Sequence, residues 1–261
     1  MGDKSFSSRN GDFVSLLRET GHGPFAAVSS ENRSGLAATE ATTVLGFHYQ
    51  DGVVVAGDRR ATAGNTVVYD RADKVIEVDF HTVMAIAGTP ATAFEMARVL
   101  QHSFQYYRRS QLQALSVEAK VRALGKLIKD NLGLTLQGVG VVVPILAAQG
   151  PEEGAPPRLY FYDALGAQFQ AADFAVSGSG SPSVRSILHY VNRWSGKATA
   201  QRNEEEAVRL ALQLLDVAAE SDTATGGIDR RSRIFPQVKL LTSAGIRSVP
   251  DEVLGNQFST V

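Results

Sequence analysis

Ala41-Thr42-Thr43-Val44-Leu45-Gly46, followed after four residues by Asp51-Gly52-Val53-Val54-Val55-Ala56-Gly57-Asp58-Arg59-Arg60-Ala61-Thr62, is the stretch that decides the fold. Its two apolar runs read as short strands, and the Asp-Gly step between them is a strong hairpin signal. The second run ends abruptly in a carboxylate and two guanidinium groups. Beyond it stand Lys74, in Asp73-Lys74-Val75-Ile76, and the run Met84-Ala85-Ile86-Ala87-Gly88. A hydroxyl residue at one strand start, an Asp at the next strand's end and a Lys on a third strand point to a nucleophile assembled on a sheet.

Composition narrows what such a nucleophile can be. The chain has 261 residues, enough for one large domain or two small ones, and a formal net charge of -1. A nucleic-acid binder would carry a basic surplus, which is missing here. No apolar run approaches the roughly 20 residues that span a bilayer, and the N-terminus has no basic region leading into an apolar stretch. The expectation is a soluble, cytoplasmic protein that engages neither nucleic acid nor membrane. Cysteine is absent, which excludes disulfides, thiolate zinc sites and cysteine nucleophiles. The histidines, His22, His48, His81, His102 and His189, are scattered without an i,i+4 pair, so no metal site is expected from them. Chemistry therefore falls to oxygen or nitrogen nucleophiles.

Residues 1–41 are rich in Ser, Gly and Asn and lack a strand pattern; one short amphipathic piece, Asp12 to Arg18, stands alone. Composition leaves two readings open, a disordered tail or a propeptide whose Phe13, Leu16 and Leu17 dock elsewhere. From Thr42 to Gly88 the pattern is all strand: Val44 to Tyr49, Val53 to Gly57, Thr66 to Tyr69, Val75 to Val78 and Val83 to Ala87. Several runs are nearly continuously apolar, so both faces of the sheet should be covered.

Two amphipathic helices follow, one carrying Met96, Leu100, Phe104 and Tyr107, the other Val117, Val121, Leu124, Ile128 and Leu132. Ser116 reads as the second helix's N-cap and Gly133 as its stop. Strands are expected again at Val139 to Ala147, Arg158 to Tyr162 and Gln168 to Val176. The small-residue loop from Ser177 then leads into a helix from Ser183 to Trp194. Asn203 with Glu206 forms a capping-box pattern for a helix ending near Asp222, and Val238 to Thr242 is the last strand. Grouped strands alternating with helix pairs predict an α+β fold: two stacked antiparallel sheets with a helical layer outside each, one domain over residues 42–261.

A threonine hydroxyl is a weak nucleophile and needs a base. The α-amino group of the same threonine, with a reference pKa of about 8, can serve, but only if Thr42 becomes the first residue of the chain. Lys74 would then favour the deprotonated hydroxyl, and Asp58 would keep that lysine charged and oriented. The alternative is a surface ion pair, worth about 0–1 kcal/mol. Gly88 can offer a backbone N–H as an oxyanion donor, or be a simple turn. The Ser177–Ser181 loop lacks the spacing of a phosphate-binding motif.

Taken together, Thr42-Thr43, Gly57-Asp58-Arg59-Arg60-Ala61-Thr62, Gly64-Asn65, Lys74, Ile86-Ala87-Gly88, Gly178-Ser179-Gly180-Ser181-Pro182 and Asp222-Thr223-Ala224-Thr225-Gly226-Gly227 resemble, in order and register, the catalytic β subunits of bacterial, actinobacterial-type 20S proteasomes. The resemblance runs from Thr42 to about Thr242. It implies the four-layer αββα sandwich of the N-terminal-nucleophile hydrolases and makes residues 1–41 a propeptide removed autocatalytically between Ala41 and Thr42.

It also implies roles: Thr42 as nucleophile and base, Lys74 and Asp58 as support, Gly88 as oxyanion donor, and Ser179, Asp222 and Thr225 around the threonine amine. Family members often carry Ser where Thr225 stands, a change that keeps the hydroxyl. By register, Ala61, Ala72, Ile76, Ile86, Pro90 and Phe94 line the substrate pocket, with backbone at Thr62 and Gly88 pairing with the substrate. An apolar pocket implies cleavage after hydrophobic residues.

The implied partners are a homoheptameric β ring stacked with α subunits in an α7β7β7α7 barrel, a regulatory ATPase ring and unfolded protein substrates, with no cofactor. Ala41 departs from the glycine usual before the threonine. Because Ala tolerates positive φ poorly, slower or more assembly-dependent processing is expected. The simpler two-ring bacterial peptidase related to the proteasome shares the Thr-Thr start but usually has Gly-Gln at Arg59-Arg60. Inactive ring subunits typically lose the threonine or the lysine, and this chain has both.

Overall fold

The computed structural model describes residues 42–64, 66–152, 154–229 and 231–258. The expectations for residues 1–41, including the propeptide, lie outside the described residues.

The continuous apolar runs are strands that bury both faces. In β1 (Thr43–Tyr49) and β2 (Gly52–Gly57) successive side chains alternate between two cores. Val44, Val53 and Val55 enter one, whereas Leu45, Phe47, Val54 and Ala56 enter the other. The same division runs through β6 (Thr82–Ala85) and β7 (Ile145–Ala148) of the second sheet: Val83, Ala85, Ile145 and Ala147 meet Val44 and Val55, and Met84, Leu146 and Ala148 turn outward to helices. A strand covered on one face alone would have alternated apolar with polar residues.

The first sheet has the order β10 (Phe174–Gly178), β1, β2, β11 (Gln237–Thr242), β12 (Gly245–Ser248). The second has the order β5 (Val75–Asp79), β6, β7, β8 (Arg158–Tyr162), β9 (Gln168–Ala171). Pairing is antiparallel throughout both. A separate hairpin, β3 (Ala61–Ala63) with β4 (Thr66–Tyr69), stands beside them. Helices α1 (Pro90–Gln111) and α2 (Val117–Asp130) cover the second sheet. Helices α4 (Ser181–Trp194) and α5 (Glu204–Ser221) cover the first, joined there by α6 (Asp251–Phe258). The short α3 (Leu132–Leu136) follows α2. The result is an αββα sandwich in which Asp58 directly follows β2 and Lys74 directly precedes β5.

Several boundaries differ from the expected ones, each for a local reason. Gln50 and Asp51 form the hairpin turn, and Gly52 already pairs with Tyr49. Val139 to Ala147 is not one strand: Pro144 has no N–H to give a ladder, and β7 begins after it. Gln168 to Val176 is two strands, because the chain leaves the second sheet after Ala171 and joins the first at Phe174. Helix α2 ends at Asn131, whose side chain donates to the Gly140 carbonyl at 2.6 Å, and Gly133 lies inside α3. Helix α4 starts at Ser181, with Pro182 in the first turn where its missing N–H costs nothing. The strands β3 and β12 and the helices α3 and α6 had no expectation. The Ser116 cap and the Asn203–Glu206 capping box form as read.

Candidate active site

The end of β2 and the starts of β1 and β5 meet at Asp58. This carboxylate is fully buried, and four donors surround it. Its Oδ1 accepts the Thr43 N–H at 2.8 Å and Lys74 Nζ at 2.7 Å. Its Oδ2 accepts the N–H groups of Arg60 at 2.9 Å and Gly226 at 2.8 Å. A buried carboxylate is tolerable only when its lone pairs are met in this way. Lys74, itself 4% exposed, donates a further bond to the Arg60 carbonyl at 2.5 Å. Burial lowers the Lys74 pKa below the ordinary lysine value; the charge and hydrogen bond of Asp58 partly oppose this, Arg60 adds to it, and Asp222 opposes it. The alternative of a surface ion pair is thereby removed, since neither partner reaches solvent.

A second set of groups closes on the threonines from the α4 and α5 side. The Thr42 carbonyl accepts the Ser179 N–H at 2.9 Å, and Thr42 is buried. Ser179 Oγ donates to Asp222 Oδ2 at 2.6 Å, and Thr225 Oγ1 donates to the same oxygen at 2.5 Å. The Gly180 N–H reaches Thr43 Oγ1 at 2.9 Å, and that hydroxyl lies 2.6 Å from Thr225 Oγ1. Because Thr225 spends its proton on Asp222, Thr43 is the donor to Thr225, and the chain of bonds runs one way into the carboxylate. The Asp222 pKa is lowered: burial pushes it up, but the hydroxyls of Ser179 and Thr225, the Ala224 N–H and the Lys74 charge outweigh it.

Gly88 stands across a cleft of about 610 Å3 that Thr62, Ser177, Ser179 and Arg185 also line. It faces Val142 in an antiparallel bridge whose hydrogen bonds come from Thr89 and Val143, so the N–H of Gly88 points away from that partner. Its φ is +103°, and a Cβ there would stand 2.1 Å from the Val141 carbonyl oxygen, so only glycine fits.

Six of the residues expected together, with Thr43, thus form one connected set: Thr42 to Ser179, Ser179 to Asp222 to Thr225, Thr225 to Thr43, Thr43 to Asp58 and Asp58 to Lys74. The seventh, Gly88, joins them only as a lining residue of the cleft it shares with Ser179. Of the expected pocket residues, Thr62 and Gly88 line the cleft, Ile86 is buried beside α1, and Ile76 and Phe94 pack against the same core. Ala61, Ala72 and Pro90 are half-buried. Three participants had no expected role. Thr43 links the two networks. Arg60 donates to the carbonyls of Thr223 at 3.0 Å and Thr225 at 3.2 Å, pinning the 222–226 loop to the strand end. Gln237 touches the backbone of Lys74 at 2.7 Å from β11, and no local motif announces it.

Comparison with known proteins agrees with this geometry. A family model described as "Proteasome subunit" matches residues 38–230. The chain is 38% identical over 220 residues to proteasome subunit beta 2 of Thermomonospora curvata, covering 84% of this chain and 76% of that protein. It is 37% identical over 222 residues to proteasome subunit beta of Streptosporangium roseum, covering 85% and 76%. Against proteasome subunit beta of Stackebrandtia nassauensis the identity is 35% over 220 residues, covering 83% and 76%. The chain therefore belongs to the proteasome subunit family, among its β subunits, and the family implies a peptidase working within a multi-subunit assembly.

Proposed function

We propose that this chain is a threonine-type endopeptidase, the catalytic β subunit of a 20S proteasome core particle. The observation that carries the reading is the buried Lys74–Asp58 pair, 2.7 Å apart and bonded to the Thr43 N–H, next to a threonine whose carbonyl is held by Ser179. Cleavage of Ala41-Thr42 removes residues 1–41 and frees the Thr42 α-amine. That amine takes the proton of Thr42 Oγ1 as the oxygen attacks the substrate carbonyl carbon. Lys74 favours the developing alkoxide, and Asp58 holds the lysine in place and charged. The Gly88 N–H meets the oxyanion. The ammonium then protonates the departing amine, leaving an ester on Thr42, and water, deprotonated by the same amine, releases the acyl group. Asp222, through Ser179 and Thr225, orients the freed amine.

The substrate is an extended chain laid as an added strand between the backbones of Thr62 and Gly88. An apolar pocket of Ala61, Ala72, Ile76, Ile86, Pro90 and Phe94 selects hydrophobic residues before the cut. The assembly is a β heptamer stacked with α subunits in an α7β7β7α7 barrel, fed with unfolded chains by an ATPase ring in the cytoplasm. Large exposed apolar side chains, among them Trp194 and Tyr190 on α4 and Val67, Val68 and Tyr69 on β4, suit a chain built to meet neighbours.

N-terminal sequencing of the assembled protein tests the reading, with a mature chain expected to start at Thr42. Thr42→Ala should keep residues 1–41 attached and abolish hydrolysis of hydrophobic fluorogenic peptides. Normal turnover by that variant would refute the assignment.

A further inference from the structure

We propose that Gln237 is a positioning residue for Lys74: its carboxamide clamps the backbone of the lysine to the strand end that carries Asp58. The inference rests on the reading of Lys74 and Asp58 as supports of the Thr42 nucleophile.

The ion pair holds only the far end of a flexible four-carbon stem. The near end has a different problem. Lys74 precedes β5, an edge strand of the second sheet with β6 as its one ladder neighbour, so N–H groups on its other side find no strand. Asp58, by contrast, follows β2 of the first sheet. The pair thus spans two layers: the Ile86 N–H holds the Lys74 carbonyl at 2.9 Å within the second sheet, while Asp58 belongs to the first.

Gln237 closes this gap. It opens β11, where its register partner is Gly57, the residue before Asp58. Its Oε1 accepts both the Lys74 N–H at 2.7 Å and the Val75 N–H at 3.1 Å. Two consecutive N–H groups converging on one oxygen form a concave donor site of the kind that usually takes an anion. Here a neutral amide fills it. The other end of the same amide, Nε2, donates to Asp73 Oδ1 at 2.8 Å, an oxygen that Arg59 Nη2 also holds at 2.9 Å. A carboxamide accepts and donates at once and stays neutral at every working pH. It therefore positions the lysine without adding a charge to the groups that set its protonation, Asp58, Arg60 and Asp222. Asp73 and Arg59 lie beyond it.

A positioning role predicts loss of rate without loss of substrate affinity, since the lysine would drift from a geometry that only the reacting state demands. The test uses the full chain assembled with its α subunits and measures kcat and KM on a hydrophobic fluorogenic peptide across pH, with N-terminal sequencing to show that each variant is processed. Gln237→Ala should lower kcat about tenfold with KM changed less than about twofold. Gln237→Glu keeps an acceptor for both N–H groups but puts a carboxylate oxygen where the amide donated to Asp73, so it should recover part of that rate and not all of it. Its added carboxylate should also move the alkaline limb of kcat to higher pH by favouring charged Lys74.

Wild-type kcat in Gln237→Ala, a loss confined to KM, or a Gln237→Glu variant with neither recovery nor a shifted limb would overturn the clamp. If Gln237→Ala fails to assemble, the limb of Gln237→Glu decides alone, and an unshifted limb overturns it. Lys74→Ala, run beside them, separates the two readings. A fully active Lys74→Ala removes the catalytic role of the lysine and the clamp with it, whereas an inactive Lys74→Ala beside a fully active Gln237→Ala removes the clamp only.

Discussion

Lys74 keeps its ammonium in surroundings that oppose charge, with burial lowering its pKa and Asp58 supplying most of the compensation. Lys74→Met would leave Asp58 with the N–H groups of Thr43, Arg60 and Gly226 but no counter-charge. Breaking one side of a buried pair costs about 3–5 kcal/mol, and those backbone donors place the expected loss near 3 kcal/mol. Denaturant unfolding of the purified chain measures it, and a loss below about 1 kcal/mol would mean the backbone alone suffices. Asp222 gives the opposite pH behaviour. Its folded pKa is depressed, so the unfolded chain takes up the proton first as pH falls. The stabilisation is whole above roughly pH 4 and drains away as pH drops through the folded value. Thermal melts below about pH 4 should therefore show a steeper decline for the wild type than for Asp222→Asn. Equal slopes would remove Asp222 from the acid sensitivity.

Among the elements, α5 was legible in full. Asn203 Oδ1 accepts the Glu206 N–H and Glu206 Oε2 accepts the Asn203 N–H, both at 3.0 Å, as the Asn-x-x-Glu spacing announced. Asn203→Ala should cost about 1 kcal/mol, seen by calorimetry as a drop of about 2–4 °C in Tm. A Tm within about 1 °C of wild type would show the cap to be redundant. The segment Gln168 to Val176 was the least legible. Its apolar alternation is continuous enough to read as one strand, yet Ala171 pairs with Leu159 in one sheet and Phe174 with Phe47 in the other. Periodicity reports which residues face a core and says nothing of which core.

For the molecule as a whole, the apolar layer where the sheets stack is, among the described residues, one of three cores that hold the fold. Leu159 on β8 is fully buried there among Val44, Val53, Ala85 and Ala175, and its Cδ1 would lie 3.0 Å from a Cβ placed on Gly46. That close fit leaves little room for collapse around a cavity. Leu159→Ala should cost about 3 kcal/mol and lower Tm by about 6–12 °C, while each folded, processed molecule keeps its wild-type kcat. A large loss of kcat at full occupancy of the folded state would mean that sheet spacing itself tunes the site.

By itself the sequence determined what acts over a few residues: strand period, helix stripes, the Ser116 cap and the Asn203–Glu206 capping box, and the order of Thr42, Asp58, Lys74 and Gly88 along the chain. These follow from backbone sterics and local hydrogen bonding, which need no knowledge of distant segments. Tertiary structure alone decided which strands share a sheet beyond the β1–β2 hairpin, that Thr43 joins two hydrogen-bond networks, and that Gln237 reaches Lys74 across a separation of 163 residues. The physical reason is that stacking two sheets brings strand ends together through burial, a force blind to sequence distance and therefore without a local signature.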